Sequence, residues 1–164
     1  MQKLFYQIMF LLLIIGFTEI FPQSPQGKEV GFGIILGDPI GGTLKFWTDR
    51  DNALVIDLGS SFFGKPRIGV DYLWHFEAFD SDIANLYAGA GGALGFGEGK
   101  GFWYDNKFHR TRNEVGLGAR GVFGVNVVPR HTPLETFFEI GVLLGFTPDF
   151  GSAVDAAIGI RFYP

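Results

Sequence analysis

The sequence predicts an all-β fold, an eight-stranded antiparallel up-and-down transmembrane β-barrel. Three observations predict it. Apolar residues recur at every second position in one run after another, the spacing of strands and not of helices. Charged residues and glycines crowd onto the opposite face of those same runs. Of 164 residues, 25 are Gly and 16% are aromatic, while only 18% are charged, against roughly 25% in soluble domains.

The composition also argues against several classes of protein. Disordered chains are polar and aromatic-poor, which this chain is not. A net charge of −4 without a basic stripe argues against a nucleic-acid partner. The absence of Cys removes disulfide scaffolds, thiol catalysis and Cys-ligated zinc together.

Residues 1–24 read as a cleaved secretory signal peptide. Lys3 precedes an apolar core from Ile8 to Phe17 that no charge interrupts, the n-region and h-region pattern. That core is too short for a membrane helix, which takes about 20 residues. Cleavage is expected between Thr18 and Gly27, leaving 28–164 as one barrel domain.

Eight strands follow in order. The first two, 29–36 and 40–48, meet at Gly37-Asp38-Pro39. In the third, 53–62, Leu54, Ile56, Leu58 and Phe62 oppose Val55, Asp57, Gly59 and Ser61. The fourth, 67–76, sets Ile68, Val70, Tyr72, Trp74 and Phe76 against Arg67, Gly69, Asp71, Leu73 and His75. The fifth spans 83–96. In the sixth, 114–125, Val115, Leu117 and Phe123 oppose Glu114, Gly116, Gly118 and Arg120. The seventh, 134–146, sets Phe138, Ile140, Val142 and Leu144 against Phe137, Glu139 and Gly141. In the eighth, 153–163, Val154, Ile158, Ile160 and Phe162 oppose Asp155, Gly159, Arg161 and Tyr163. Gly, Pro, Asp and Asn dominate the connections, as turns demand. Each strand approaches the 9–11 tilted residues that cross an outer membrane.

The pairing of charge with glycine decides which face points inward. Glycine removes volume and lets long charged side chains cross a narrow lumen, and on this reading Gly141→Ala adds only one methyl there. The other face is nearly free of charge and suits hydrocarbon, where a midplane charge costs about 2–4 kcal/mol. Closure satisfies every backbone group that lipid would leave unpaired. A soluble lipocalin-like barrel has the reverse arrangement. Phe62, Phe63, Trp74, Phe76, Phe79, Phe96 and Phe146 fall near strand ends, where interfacial girdles belong. Trp47 lies on the polar face, which implies a register slip or a plug at one barrel end. The longest connection, 97–113, is the fifth, so it faces outside if both termini are periplasmic.

The candidate lumen network comprises Lys45, Asp57, Arg67, Asp71, His75, Glu114, Arg120, Glu135, Glu139, Asp155 and Arg161. Counted along the strands, Arg120 and Glu139 fall at mid-barrel with Asp57 and Asp71. Lys45, His75, Glu135 and Arg161 gather toward the termini, and Arg67, Glu114 and Asp155 toward the outside. A structural, lumen-filling role is expected, because eight strands leave room for little besides side chains. In the long loop, Lys100, Trp103, Lys107, Arg110 and Arg112 are candidate contacts for lipopolysaccharide or a surface partner.

No catalytic, metal or cofactor site is legible. His75, His109 and His131 lack a nearby Ser at a strand end, which leaves lipid A chemistry without a nucleophile. Asp49 with Asp51, and Asp80 with Asp82, lack the further ligands of a calcium loop and read as turn residues. The run GFGEGKGF at 95–102 lacks phosphate-loop spacing.

The stretches GIILGDPIGGTLKFW (33–47), DYLWHF (71–76), GARGVFGVNVV (118–128), LETFFEIG (134–141) and the ending AIGIRFYP carry a resemblance. Over 29–164 the chain resembles small bacterial outer-membrane β-barrels of unknown function, similar in architecture to OmpX and to the OmpA transmembrane domain. The resemblance implies a Gram-negative outer membrane, insertion by the barrel-assembly machinery, and lipid and lipopolysaccharide as neighbours. It supplies no catalytic residues and no cofactor. The expected role is structural or interactional. A narrow ion pore, a lipid A-modifying enzyme and a soluble lipocalin-like binder are the alternatives.

Overall fold

Strict alternation lets each strand bury one face while a neighbour on each side satisfies its backbone. The computed structural model describes residues 25–77, 81, 83–100, 109–110, 114–147 and 150–164. The signal segment 1–24 lies outside them. The strands are β1 Val30–Gly37, β2 Ile40–Trp47, β3 Asn52–Ser61, β4 Gly64–Phe76, β5 Ala84–Phe96, β6 Gly99–Lys100, β7 His109–Arg110, β8 Val115–Val127, β9 Leu134–Thr147 and β10 Gly151–Phe162. Eight of them close into a barrel in the order β1-β10-β9-β8-β5-β4-β3-β2. Every barrel neighbour is antiparallel, including the seam from Phe32↔Phe162 to Gly37↔Ala157. The barrel is therefore all-β and up-and-down. Strands β6 and β7 pair as a separate ribbon inside the span read from sequence as one loop.

One boundary changes the reading of a side chain. Strand β4 begins at Gly64, so the β3–β4 turn contracts to Phe62 and Phe63. The β3–β4 register shifts between Gly59 and Ser61, yet the inward parity of Val55, Asp57 and Ser61 runs on to Phe63. Phe62 stays outside at 52% exposure, while Phe63 turns into the lumen at 3%. Phe63 is thus a lumen residue and not part of an outer girdle. Trp74, Phe76 and Phe146 do face outward; Phe79 lies outside the described residues.

The turns rest on local hydrogen bonds. The Asp49 carboxylate accepts from the Asp51 N–H at 3.0 Å, the Asn52 N–H at 2.9 Å and the Asn52 Nδ2 at 2.8 Å. The Asn52 amide holds the Asp49 carboxyl below the usual carboxylate range. Asp38, in the β1–β2 turn, accepts from the Phe62 N–H at 3.2 Å and so ties two turns together. Burial pushes its carboxyl up.

The faces are inverted relative to a water-soluble protein. Outside, Ile34, Leu58, Phe123, Ile140 and Ile158 are exposed. Inside, four cations and five carboxylates of β2–β4 and β8–β10 are buried. Trp47, Ala53 and Tyr163 close the end that carries the termini. Phe63, Ala93 and Leu143 cluster toward the opposite end. Gly141 sits tighter than its sequence position suggests: a Cβ there would stand 2.9 Å from Arg120 Nε and closer still to Asp155 Oδ1. On the outer face, a Cβ at Gly121 would meet nothing within 4 Å.

Ile140→Arg and Val70→Arg place a charge on the outer face, and each is expected to cost about 2–4 kcal/mol of folding free energy in lipid vesicles. Gly141→Ala is expected to destabilise as well, by collision, whereas Gly121→Ala stays near wild type. Urea titration of the refolded barrels measures all four. Equal midpoints would show that the faces are assigned wrongly.

Candidate functional site

Residues on the inward parity converge because glycines lie between them. In register, Gly91 of β5 stands between Asp71 of β4 and Arg120 of β8. Gly141 of β9 pairs with Asp155 of β10 and with Val122 of β8. Side chains two strands apart therefore meet across a strand that contributes no bulk.

Arg120 is the centre of this arrangement. Its Nη1 donates to Asp71, its Nη2 to Glu139 Oε1 at 2.9 Å, and its Nε and Nη2 to Asp155 at 3.0 and 2.8 Å. Asp155 also accepts from Arg67 Nη1 at 3.2 Å, and Glu139 accepts from the Tyr87 hydroxyl at 2.9 Å. Asp155 is thus a bridge between the mid-barrel and outer groups, not an outer residue alone. Asp57, placed by sequence beside Arg120, makes no hydrogen bond to it, and its Oδ1 has no protein partner.

A second cluster fills the end near the termini. Lys45 Nζ donates to Glu135 Oε1 at 2.8 Å and lies 3.0 Å from His75 Nε2. Arg161 Nη1 donates to the same Glu135 oxygen at 3.2 Å, and its Nε and Nη2 donate to Thr43 Oγ1. The Tyr163 hydroxyl donates to Glu135 Oε2 and accepts from Trp47 Nε1 at 3.2 Å. Lys45 lies 4.1 Å from the Trp47 ring, which packs 4.5 Å from the His75 ring. Trp47 is therefore a plug, and β2 keeps its register. The His75 and Tyr87 rings, 5.4 Å apart, join the two clusters.

Glu114 is half-buried and precedes β8 at the rim. Lys100 and Arg110 lie on the β6–β7 ribbon, paired with His109 and Gly99. Trp103, Lys107 and Arg112 lie outside the described residues. Sequence reasoning missed Thr43, Tyr87, Asn126 and Tyr163. Their inward parity was readable, but they carry no charge to mark them.

Chemically, the interior is committed to itself. Lys45 and Glu135 are both fully buried, and taking one partner from such a pair costs about 3–5 kcal/mol because the other charge stays behind. Among the described residues no group of three potential ligands stands ready for a metal ion.

Fold and lumen together define an outer-membrane-type eight-stranded barrel, an OmpA-like small barrel in architecture. Among solved structures the chain is similar to the N-terminal β-barrel domain of Pseudomonas aeruginosa OprF, with a TM-score of 0.59 and 14% identity over 81% of this chain and 95% of that one. At this identity the likeness concerns the fold. No protein-family model and no curated protein matches the chain.

Arg120→Met is expected to destabilise the refolded barrel by about 3–5 kcal/mol, since three carboxylates lose their shared cation. Arg50, 59% exposed and 3.5 Å from Glu77, belongs to a surface pair, and Arg50→Met is expected to cost at most about 1 kcal/mol. Equal costs in urea unfolding would mean that the interior pairs carry no more weight than surface ones.

Proposed function

We propose that the chain is an integral outer-membrane β-barrel protein with a structural or surface-interaction role. One observation carries this reading: the outer face is apolar from strand to strand, while the charged residues of the barrel wall, Lys65 at the rim of β4 apart, point into the interior. In water such a surface would drive association; in hydrocarbon it is the low-energy face. The similarity to the OprF barrel supports the same location. On this reading residues 1–24 are the export signal, both termini are periplasmic, and the barrel-assembly machinery inserts residues 28–164. The long loop then meets lipopolysaccharide or a partner through Lys100, Trp103, Lys107, Arg110 and Arg112.

The same geometry weighs against the rival roles. A soluble binder would present the charged face to water. Conduction would require a path past Arg67, Arg120, Lys45 and Arg161, each at most 3% exposed. For lipid A chemistry His75 is poorly placed, buried between Lys45 and the Asp51 carbonyl, which lies 3.1 Å from Nδ1.

Cell fractionation is expected to place the protein in the outer membrane, with a band that shifts on gels only after boiling. Recovery in the soluble periplasmic fraction would overturn the proposal. In planar bilayers the reconstituted barrel is expected to show no sustained conductance, and stable channels would replace the structural role with that of a pore.

A further inference from the structure

Three orphaned polar atoms lie on one stretch of lumen wall between β3 and β4. Arg67 Nη1 is held by Asp155, but Nε and Nη2 have no protein partner, although Arg67 is 2% exposed. Asp57 Oδ1, on a residue 3% exposed, has none either. Gly69 lies between them. It is the register partner of Asp57 and stands two residues along β4 from Arg67. Buried polar groups of this kind almost always have a partner, and a buried charge without one is costly.

The wall leaves room at this point. A Cβ on Gly69 would lie 3.8 Å from Arg67 Nη2, 3.9 Å from Arg67 Nε and 3.9 Å from Asp57 Cβ. Lumen glycines such as Gly31, Gly41, Gly59, Gly89, Gly124 and Gly159 differ, since a Cβ on any of them would come within 3.0 Å of a neighbouring atom. Those glycines permit close packing. Gly69 leaves space beside two donors of Arg67 and the Asp57 side chain.

We infer that an ordered water binds over Gly69 and joins the Nε–Nη2 edge of Arg67 to Oδ1 of Asp57. Water suits the site because it both accepts and donates: it takes the two N–H bonds of Arg67 and gives one O–H to Asp57. A metal cation would face the two Arg67 donors, and an anion would face the carboxylate. Three polar partners are also what a buried water ordinarily has. The water connects Asp57, otherwise outside the ion-pair network, to the Arg67–Asp155–Arg120 chain.

The site makes Gly69→Ala and Gly69→Ser differ in an unusual direction. The alanine methyl takes the water's position and can replace none of its hydrogen bonds. The serine hydroxyl extends one bond further, into reach of the Arg67 edge, and replaces the water. In urea unfolding of the full refolded barrel, Gly69→Ala is expected to raise the unfolding constant about tenfold relative to Gly121→Ala, and Gly69→Ser to recover most of that loss. Gly69→Ala matching Gly121→Ala, or Gly69→Ser no more stable than Gly69→Ala, would overturn the inference. If neither variant folds, rotating-frame NOE spectroscopy of the wild type in micelles decides. A water cross-peak at the Arg67 Nε–H, with the sign of dipolar contact and not of proton exchange, supports the site; its absence overturns it.

Discussion

The interior of this barrel is organised around Arg120, which faces Asp71, Glu139 and Asp155 from three other strands. Three buried carboxylates this close repel one another, and none can be solvated as in water. A guanidinium meets the difficulty because it is planar, keeps its charge and presents five donors. Lysine, with three donors on one point charge, could not address three acceptors spread over β4, β9 and β10 in the same way. The other interior features follow from this hub. Gly91 and Gly141 clear its path, and Arg67 balances the carboxylate it shares. Tyr87 bonds the other oxygen of Glu139, which Arg120 leaves.

Much of this was legible in the sequence, for a definite physical reason. A barrel wall has one greasy face and one charged face, so the period of two persists over ten or more residues in β4, β8 and β9 and is hard to mistake. Parity then assigns each charged residue to the lumen without knowledge of its partner. The partners were harder to read. Strands in a closed barrel are tilted and staggered, so residues counted to the same height need not meet; hence Asp155 and not Asp57 reaches Arg120. Phe63 was misassigned for a different reason: it keeps the inward parity of Asp57, Gly59 and Ser61, but it lies just past the strand end and its aromatic ring alone grouped it with the girdle.

Uncharged polar and aromatic residues formed a second blind spot. Thr43, Tyr87 and Tyr163 have the inward parity of their charged neighbours, yet each takes an acceptor or donor role that the cations and carboxylates cannot fill alone. Thr43 accepts two Arg161 bonds, and Tyr163 reaches the Glu135 oxygen that Lys45 and Arg161 leave. Counting charges shows that a network must exist. Counting lone pairs and N–H groups shows who completes it.

The distribution of charge along the axis has a further consequence. Toward the termini, Lys45 and Arg161 share the carboxylate of Glu135, while in the rest of the lumen Arg67 and Arg120 pair with Asp71, Glu139 and Asp155. One end is therefore rich in cations and the other in carboxylates, with the tilted rings of Tyr87 and His75 packed between them. Each excess lowers the energy of the other across the barrel, because screening by solvent is weak in a lumen this buried. The aromatic plug of Trp47 and Tyr163 adds to that: it excludes water from the cation-rich end and places a ring face beside Lys45. The barrel end carrying the termini is thus closed by the same residues that hold its charge in place, and opening it would mean exposing the Lys45–Glu135 pair to water.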